Sequence, residues 1–211
     1  EIELRLFDTL KANQLIGKKY SSGVNDLRDV IKRFAGEVVY YLTGSRGIFD
    51  SRIAFVSSGS GNKEIYVCEF DGSGISQFTR NRAITIFPAW SSDGRWMAYT
   101  SYIKGKPDLY IVNTADRSTS VIAKKGINIT PAWVPGKFEL AATLSYAGDQ
   151  DIYLLSGTGK EIKRLTNEWG SDVSPTWSPD GKKMAFGSST SGTPQSYIQD
   201  MRSRKVKRVP W

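Results

Sequence analysis

The chain has 211 residues, of which 39% are hydrophobic and 24% charged, and its formal net charge is +8. This composition is ordinary for a globular protein. Because no apolar run approaches the roughly 18–20 residues of a transmembrane helix, we expect no membrane span. Histidine is absent and Cys68 is the only cysteine. An internal disulfide is therefore excluded, and the commonest general base and metal ligand is missing.

The excess positive charge is spread along the chain, apart from a basic tail at residues 202–208. Concentrated basic patches are typical of proteins that bind nucleic acid or anionic membranes. The tail, however, alternates like a strand, and the other cations are compatible with solvated loops and strand edges. We therefore predict that nucleic acid is not a partner.

Residues 1–50 are predicted to form a β-hairpin followed by an amphipathic helix. Apolar residues alternate with charged ones from Ile2 to Leu6, a turn follows at residues 11–14, and a second strand returns over residues 15–20. Asn25 and Gly44 are suited to begin and end the helix. Its apolar residues recur every three or four positions, namely Leu27, Val30, Ile31, Phe34, Ala35, Val38 and Leu42. This segment is too small to be stable alone, so we interpret it as the remnant of a larger N-terminal α/β domain.

From residue 51 onward the sequence repeats at intervals of 43 or 44 residues. The clearest copy, residues 175–186, reads as a strand ending at Trp177, a Pro-Asp-Gly turn and a second strand. Trp90 and Trp133 mark the earlier copies: Trp90 precedes Trp133 by 43 residues, and Trp133 precedes Trp177 by 44. Two further apolar segments follow in each period. Four short strands in about 44 residues are typical of a β-propeller blade, so we predict an all-β propeller.

Residues 51–211 hold about four periods, and the first one lacks its initial strand. Propellers typically have 4 to 8 blades, and a missing strand leaves an open sheet edge. We therefore predict two domains, an N-terminal remnant at 1–50 and a partial propeller at 51–211. Either further blades or a second copy of the chain would cover the open edges, so self-association through them is one expectation.

The repeated phrase Pro-x-Trp-Ser-Pro-Asp-Gly, followed by an acidic-Ile-Tyr segment and Arg-Leu-Thr, resembles the WD40-like repeat of the TolB family. Residues 42–56 also resemble the junction between that family's N-terminal domain and its propeller. The resemblance covers nearly the whole chain and implies six blades in all. One copy departs from the phrase, since Val134-Pro135-Gly136 stands where Ser-Pro-Asp-Gly is expected.

The TolB resemblance implies a non-catalytic periplasmic scaffold of the Tol-Pal system. The implied partner is the peptidoglycan-associated lipoprotein Pal, with other Tol and outer-membrane proteins as further partners. The implied roles are outer-membrane integrity, protein transport, envelope constriction in cell division, and colicin import. The alternatives are the propeller of a prolyl-oligopeptidase-type peptidase or other hydrolase, whose catalytic domain would lie outside this sequence, and a propeller module of a sensor protein.

The residues themselves contain no recognisable catalytic constellation. Without histidine, neither a Ser-His-Asp nor a Cys-His arrangement can be assembled, and no phosphate-binding loop is present. The Asp-Gly pairs at 93–94 and 180–181 lack the spacing of calcium loops and are predicted to be turns. We therefore predict no catalytic residue, no cofactor and no metal.

The polar segments that precede each Pro-x-Trp phrase are the candidate binding surface. The tryptophans and tyrosines recur at the same place in every period and are predicted to pack between blades. The preceding segments instead differ from blade to blade, and in propellers they gather at one mouth of the central channel. Variable polar loops on a rigid scaffold are where function is expected. The residues predicted to contact a partner there are Arg80, Arg82, Thr85, Asn128, Thr130, Asn167, Asp172 and Ser174.

Overall fold

The computed structural model describes residues 1–21, 23, 26–45 and 47–210. These residues form two compact units. The first contains Glu1–Ile53 and Val67–Ser76, and the second contains Ala54–Tyr66 and the chain from Gln77 onward. The domain boundary at residue 50 concerns the organisation of the parent protein, and it stays a prediction.

The first unit contains the predicted hairpin and helix. Strands β1 (Ile2–Asp8) and β2 (Asn13–Tyr20) pair in antiparallel fashion, and helix α1 follows at Leu27–Thr43. Gly44 ends the helix in the left-handed conformation, with φ 74°, as its position predicts. The predicted N-cap, Asn25, lies outside the described residues.

Helix α1 leaves much of its apolar stripe uncovered. Val30 is buried, but Ile31 and Leu42 are 50% and 64% exposed. Lys32 Nζ forms an ion pair within the helix, with Asp29 Oδ1 at 3.2 Å, and a second ion pair that joins the helix to Glu69 Oε2 at 2.7 Å. Across the described residues, no helix is both long enough and apolar enough to cross a membrane.

After the helix, the chain forms four successive antiparallel sheets in which spatial order follows chain order. The first sheet has three strands, and the other three sheets have four each. The strands are β3 (Arg52–Ser57), β4 (Glu64–Glu69), β5 (Ser76–Gln77), β6 (Thr85–Trp90), β7 (Trp96–Ser101), β8 (Asp108–Asn113), β9 (Thr119–Ile122), β10 (Asn128–Trp133), β11 (Glu139–Leu144), β12 (Asp151–Ser156), β13 (Glu161–Arg164), β14 (Asp172–Trp177), β15 (Lys183–Ser188), β16 (Gln195–Asp200) and β17 (Val206–Arg208). The predicted propeller-type blades, including the incomplete first one, are confirmed.

Within the second unit, consecutive sheets pack face to face with their first strands adjacent. Strand β10 contacts both β6 and β14, so these first strands form the inner side of the unit. Ala98 and Ile111 of one sheet share a buried core with Leu140 and Leu144 of the next. This arrangement of short sheets around a common inner side is that of propeller blades.

Two of the repeated tryptophans join neighbouring sheets by hydrogen bonds as well as by packing. Trp133 Nε1 donates to the carbonyl oxygen of Ala89 at 3.1 Å, and Trp177 Nε1 donates to that of Ala132 at 3.1 Å. Each bond runs from one sheet to the sheet before it. The prediction that these tryptophans pack between blades is confirmed.

Each inner strand contains a bulge immediately before its proline. Phe87, Thr130 and Ser174 have positive φ values of 57°, 50° and 56°, and the strand register shifts at each of them. Proline has no backbone N–H and cannot donate a hydrogen bond to the neighbouring strand. A bulge at this position therefore breaks no additional backbone hydrogen bond. Because it recurs in all three sheets, we attribute the strain to the architecture of the blade.

The predicted Asp-Gly turns link the first and second strands. Asp93 Oδ1 accepts hydrogen bonds from Ser91 Oγ at 2.6 Å and from the backbone N–H of Arg95 at 3.0 Å. These hydrogen bonds lower the pKa of Asp93 to about 2, and the bond from the Ser91 hydroxyl has a larger effect than those from Arg95. Asp180 forms the same turn with Ser178. Within the described ranges, no group of three potential metal-ligating side chains occurs.

Candidate functional site

The antiparallel order of the sheets brings one set of loops to a common face. Thr85 pairs with Ser101, which pairs in turn with Asp108, so the first and third strands begin at the same edge. The loops that reach this edge of the sheets are 58–63, 78–84, 102–107, 123–127, 145–150, 165–171 and 189–194. We call this surface the mouth face.

Charge on the mouth face is divided between its two halves. The loops from 58 to 127 carry seven cations and no acidic residue, namely Lys63, Arg80, Arg82, Lys104, Lys106, Lys124 and Lys125. The loops from 145 to 194 carry two acidic residues, Asp149 and Glu168, and no cation. A partner that matches this surface must therefore present an acidic region opposite the basic half.

The eight residues predicted from the sequence fall into two groups by exposure. Those with side chains that reach the surface are Arg80, Arg82, Asn167 and Ser174, which are exposed, and Thr130, which is half-buried. Those that are buried are Thr85, Asn128 and Asp172, each at the first position of an inner strand. A partner can contact the first group directly. The second group can affect a partner only through the loops that it holds in place.

Thr85 and Asn128 bind the loops of the mouth face to the sheets. Thr85 Oγ1 lies 3.1 Å from Ser101 Oγ. Asn128 Nδ2 donates to the carbonyl oxygens of Lys124 at 2.9 Å and Pro107 at 3.3 Å, and to Asp108 Oδ1 at 3.3 Å. All three acceptors precede strand β10, so Asn128 joins its own sheet to the previous one.

In three of the four sheets, the strand before the last begins with a buried acidic residue, which the sequence analysis noted only as part of the repeat and did not propose as a site residue. Glu64, Asp108 and Asp151 are at most 2% exposed. Glu64 accepts hydrogen bonds from Thr79 Oγ1 at 2.5 Å and from the backbone N–H of Arg82 at 2.7 Å. Asp108 and Asp151 instead form ion pairs with Lys106 and Arg164, respectively. Their fixed interval in the repeat was a signal that could have identified them.

Asp172, in strand β14, is a fourth buried acidic residue and lies outside this series. It is 2% exposed, and its Oδ1 atom has no hydrogen-bond partner among the described residues. Burial raises its pKa, hydrogen bonds from Ser188 and Thr166 oppose that shift, and the negative charge of Asp151 reinforces it. Burial likewise raises the pKa of Asp151, against the opposing effect of Arg164. Asp172 therefore holds a charge at an energetic cost.

We expect Asp172→Asn to stabilise the protein at neutral pH by about 1 kcal/mol, because it removes a buried charge near Asp151. A raised pKa means that the cost of the carboxylate is full above the folded-state pKa and vanishes below the ordinary value. The gain should therefore shrink as the pH falls from 7 to about 4. Urea unfolding at both pH values measures it. Asn128→Asp, at the equivalent position of the preceding sheet, should destabilise the protein at pH 7.

Trp169, which the sequence analysis did not single out, is the most exposed large hydrophobic side chain of the mouth face. It is 73% exposed and lies in the 165–171 loop between Glu168 and Gly170. Tryptophan is enriched among residues that dominate protein–protein binding energy. Trp169 does not belong to the repeated series of tryptophans that pack between blades. That difference was the sequence signal that could have marked it as a binding residue.

Comparison with known proteins identifies the family of this chain. Residues 39–211 match the family model described as TolB beta propeller domain. The chain is 58% identical over 170 residues to the Tol-Pal system protein TolB of Desulfosudis oleivorans, covering 81% of this chain and 39% of that protein. It is 42% identical to the TolB homolog of Chlorobium luteolum over 98% of this chain and 47% of that protein.

A solved structure shows the same similarity. The crystal structure of TolB from Acinetobacter baumannii superposes with a TM-score of 0.82 at 28% identity, covering 98% of this chain and 53% of that chain. The present chain spans between two fifths and about half of the length of the curated relatives described above.

Proposed function

Because the chain belongs to the TolB β-propeller family and its relatives are Tol-Pal system proteins, we propose that it is a non-catalytic scaffold of that system in the periplasm. Its partner is the lipoprotein Pal, which docks on the mouth face, and other Tol and outer-membrane proteins are further partners. Through this contact it supports outer-membrane integrity and envelope constriction in cell division, and it serves in protein transport and colicin import.

The observation that carries this proposal is the polarised mouth face. Its basic half presents exposed side chains of Arg80, Arg82 and Lys125 on loops whose backbone is bound by the buried side chains of Glu64 and Asn128. Its other half presents Trp169 beside the acidic Glu168. Opposite charge accelerates encounter over distances of about 10 Å, and a large aromatic side chain supplies affinity once solvent is excluded.

We expect Arg80→Ala combined with Arg82→Ala to weaken Pal binding about tenfold in low salt, and by less in high salt, because ions screen exposed charges. Trp169→Ala should also weaken binding about tenfold, but with little salt dependence, because it removes an apolar contact. Isothermal titration calorimetry with purified Pal at two ionic strengths measures both effects.

The matched control is Arg95→Ala combined with Lys182→Ala. These two exposed cations lie in turns at the opposite ends of the sheets. The control should leave the affinity unchanged, although it removes the same charge. Equal losses in the two double variants would mean that net charge, and not the mouth face, governs the interaction.

Self-association through an open sheet edge stays a prediction. Strand β3 is the edge strand of the three-stranded sheet. In each of the other sheets, the equivalent strand pairs with an additional inner strand. Unpaired strand edges are sites at which chains associate. Light scattering across a concentration series measures this association.

A further inference from the structure

The outer edge of the last sheet carries a concentration of positive charge. Strand β17 and the turn before it, residues 201–208, contain five cations and no acidic residue, namely Arg202, Arg204, Lys205, Lys207 and Arg208. All five residues are exposed. We call this set of five the basic edge. It lies outside the loops of the mouth face.

The equivalent segments of the earlier sheets are much less basic. Each consists of a turn and the edge strand that follows it. Residues 70–77 have a net charge of −1, residues 114–122 are neutral, and residues 157–164 have a net charge of +2. Because all four segments have the same place in their sheets, the architecture of the blade does not require five cations in the last one. The basic edge therefore indicates a role beyond packing.

The positive charge of the basic edge is not neutralised by neighbouring acids. Among the residues that the structure describes, none of its five cations forms an ion pair, whereas Arg164 in the edge strand of the preceding sheet pairs with Asp151. The nearest acidic residue in sequence is Asp200. Its Oδ1 accepts hydrogen bonds from Ser203 Oγ at 2.8 Å and from the backbone N–H of Ser203 at 2.7 Å. The Asp200 carboxylate therefore stabilises the turn, and the basic edge keeps an excess of positive charge.

Packing of a further sheet against the last one would leave this edge accessible. Strand β13 is the equivalent edge strand of the preceding sheet, against which the β14–β17 sheet packs. Lys163 of β13 is exposed even so. It corresponds to Lys207, since Lys163 pairs with Leu154 as Lys207 pairs with Ile198. Exposure of the basic edge is thus a property of its place in the sheet.

The chemistry of this edge matches an anionic membrane surface. Clusters of roughly four to eight Lys and Arg residues are attracted to negatively charged lipid headgroups. Exposed apolar side chains accompany the cations here: Val206 lies between Lys205 and Lys207, and Ile162 lies beside Lys163. Such side chains can enter the boundary between headgroups and acyl chains. A nucleic acid backbone offers phosphate and sugar but no such apolar region, so a lipid surface is the better match.

We propose that the basic edge binds the surface of a membrane that contains anionic phospholipids. Its Lys and Arg side chains contact the headgroup phosphates, and Val206 contacts the apolar region beneath them. Lys163 extends this surface, because it lines one small cleft together with Arg204. The contact is peripheral and does not use the loops of the mouth face. The proposal therefore goes beyond the Pal contact and does not depend on it.

Co-sedimentation of the full chain with lipid vesicles, over a series of lipid concentrations, tests the proposal. Vesicles of equal parts phosphatidylglycerol and phosphatidylcholine should bind at least about a hundredfold more tightly than vesicles of phosphatidylcholine alone, and less so in high salt. Lys205→Gln combined with Lys207→Gln should weaken binding to the anionic vesicles roughly 25-fold, because each basic residue near such a surface contributes about a fivefold factor. Both side chains are exposed, so the urea unfolding curve should be unchanged.

The matched control is Lys63→Gln combined with Lys104→Gln, which removes the same charge from exposed positions on the mouth face. It should leave vesicle binding unchanged. Excess soluble glycerol phosphate should not displace the vesicles, because a single phosphate cannot replace an array of headgroups. The basic-edge variant should also keep its affinity for Pal, so a failure of this proposal is distinguishable from a failure of the mouth-face proposal.

Three outcomes would overturn the assignment of the basic edge to a lipid surface. Equal losses in the two double variants would mean that net charge governs vesicle binding. Displacement by glycerol phosphate would indicate a pocket for one free phosphate group. Tighter binding of duplex DNA than of the anionic vesicles, at the same ionic strength, would assign the basic edge to nucleic acid.

Discussion

Trp133→Ala is expected to lower the free energy of unfolding by about 3–5 kcal/mol, the usual cost of removing a buried large aromatic side chain. Trp133 is 7% exposed and belongs to the core shared by two sheets. Its ring stacks on Phe138 at a centroid distance of 5.7 Å, and its Nε1 donates to the carbonyl oxygen of Ala89. The substitution therefore opens a cavity and also leaves a carbonyl without its donor.

Urea unfolding followed by tryptophan fluorescence and circular dichroism measures this loss. Trp169→Ala is the matched control, because it makes the same chemical change at a side chain that is 73% exposed. The control should change stability by less than about 0.5 kcal/mol. Equal effects of the two substitutions would mean that the contact between these sheets contributes little to stability.

The fold was predictable because blade packing requires the same residue type at the same place in every period. Trp133 and Trp177 each donate a hydrogen bond to the preceding sheet, and that shared geometry preserves them at a fixed interval. Gly94 and Gly181 recur for a similar reason, since their φ values of 68° and 67° suit glycine. A residue that is needed in every blade leaves a periodic signal in the sequence.

The burial of the candidate site residues was not predictable in the same way. Asn128 looks like an exposed loop residue, yet its amide is enclosed by the carbonyl oxygens of Pro107 and Lys124. These two acceptors lie in the 102–107 and 123–127 loops and belong to the backbone, so their position cannot be read from residue types. Asp172 occupies the equivalent position with different surroundings. The sequence therefore located the polar positions of the mouth face, but only the structure divides them into exposed and buried groups.

Arg164→Met is expected to destabilise the protein at pH 7 by about 2–4 kcal/mol, because it leaves the Asp151 carboxylate buried without its cation. Asp151 is fully buried, and its remaining side-chain hydrogen bond, from Thr166 Oγ1, is long at 3.4 Å. We place the effect below that of a fully buried pair because the Arg164 side chain is 34% exposed. Methionine keeps much of the apolar stem, so the loss reports chiefly on charge.

The pH dependence of this loss separates charge from packing. Burial already raises the pKa of Asp151, and removal of Arg164 raises it further, because the guanidinium favours the ionised carboxylate. A raised folded-state pKa makes the carboxylate costly above that pKa and harmless below its ordinary value. The deficit of Arg164→Met should therefore be full at pH 7 and small near pH 4.

Asp151→Asn combined with Arg164→Met completes the double-mutant cycle for this ion pair. The double variant should recover most of the stability lost in Arg164→Met, because no unpaired charge remains in the interior. Arg95→Met is the control for an exposed ion pair, with a change below about 0.5 kcal/mol expected from the median value of surface pairs. The loss of stability could instead be the same at pH 4 and pH 7 and persist in the double variant. That outcome would assign it to the contact of Arg164 with the Tyr153 ring, whose centroid lies 5.9 Å from the guanidinium carbon.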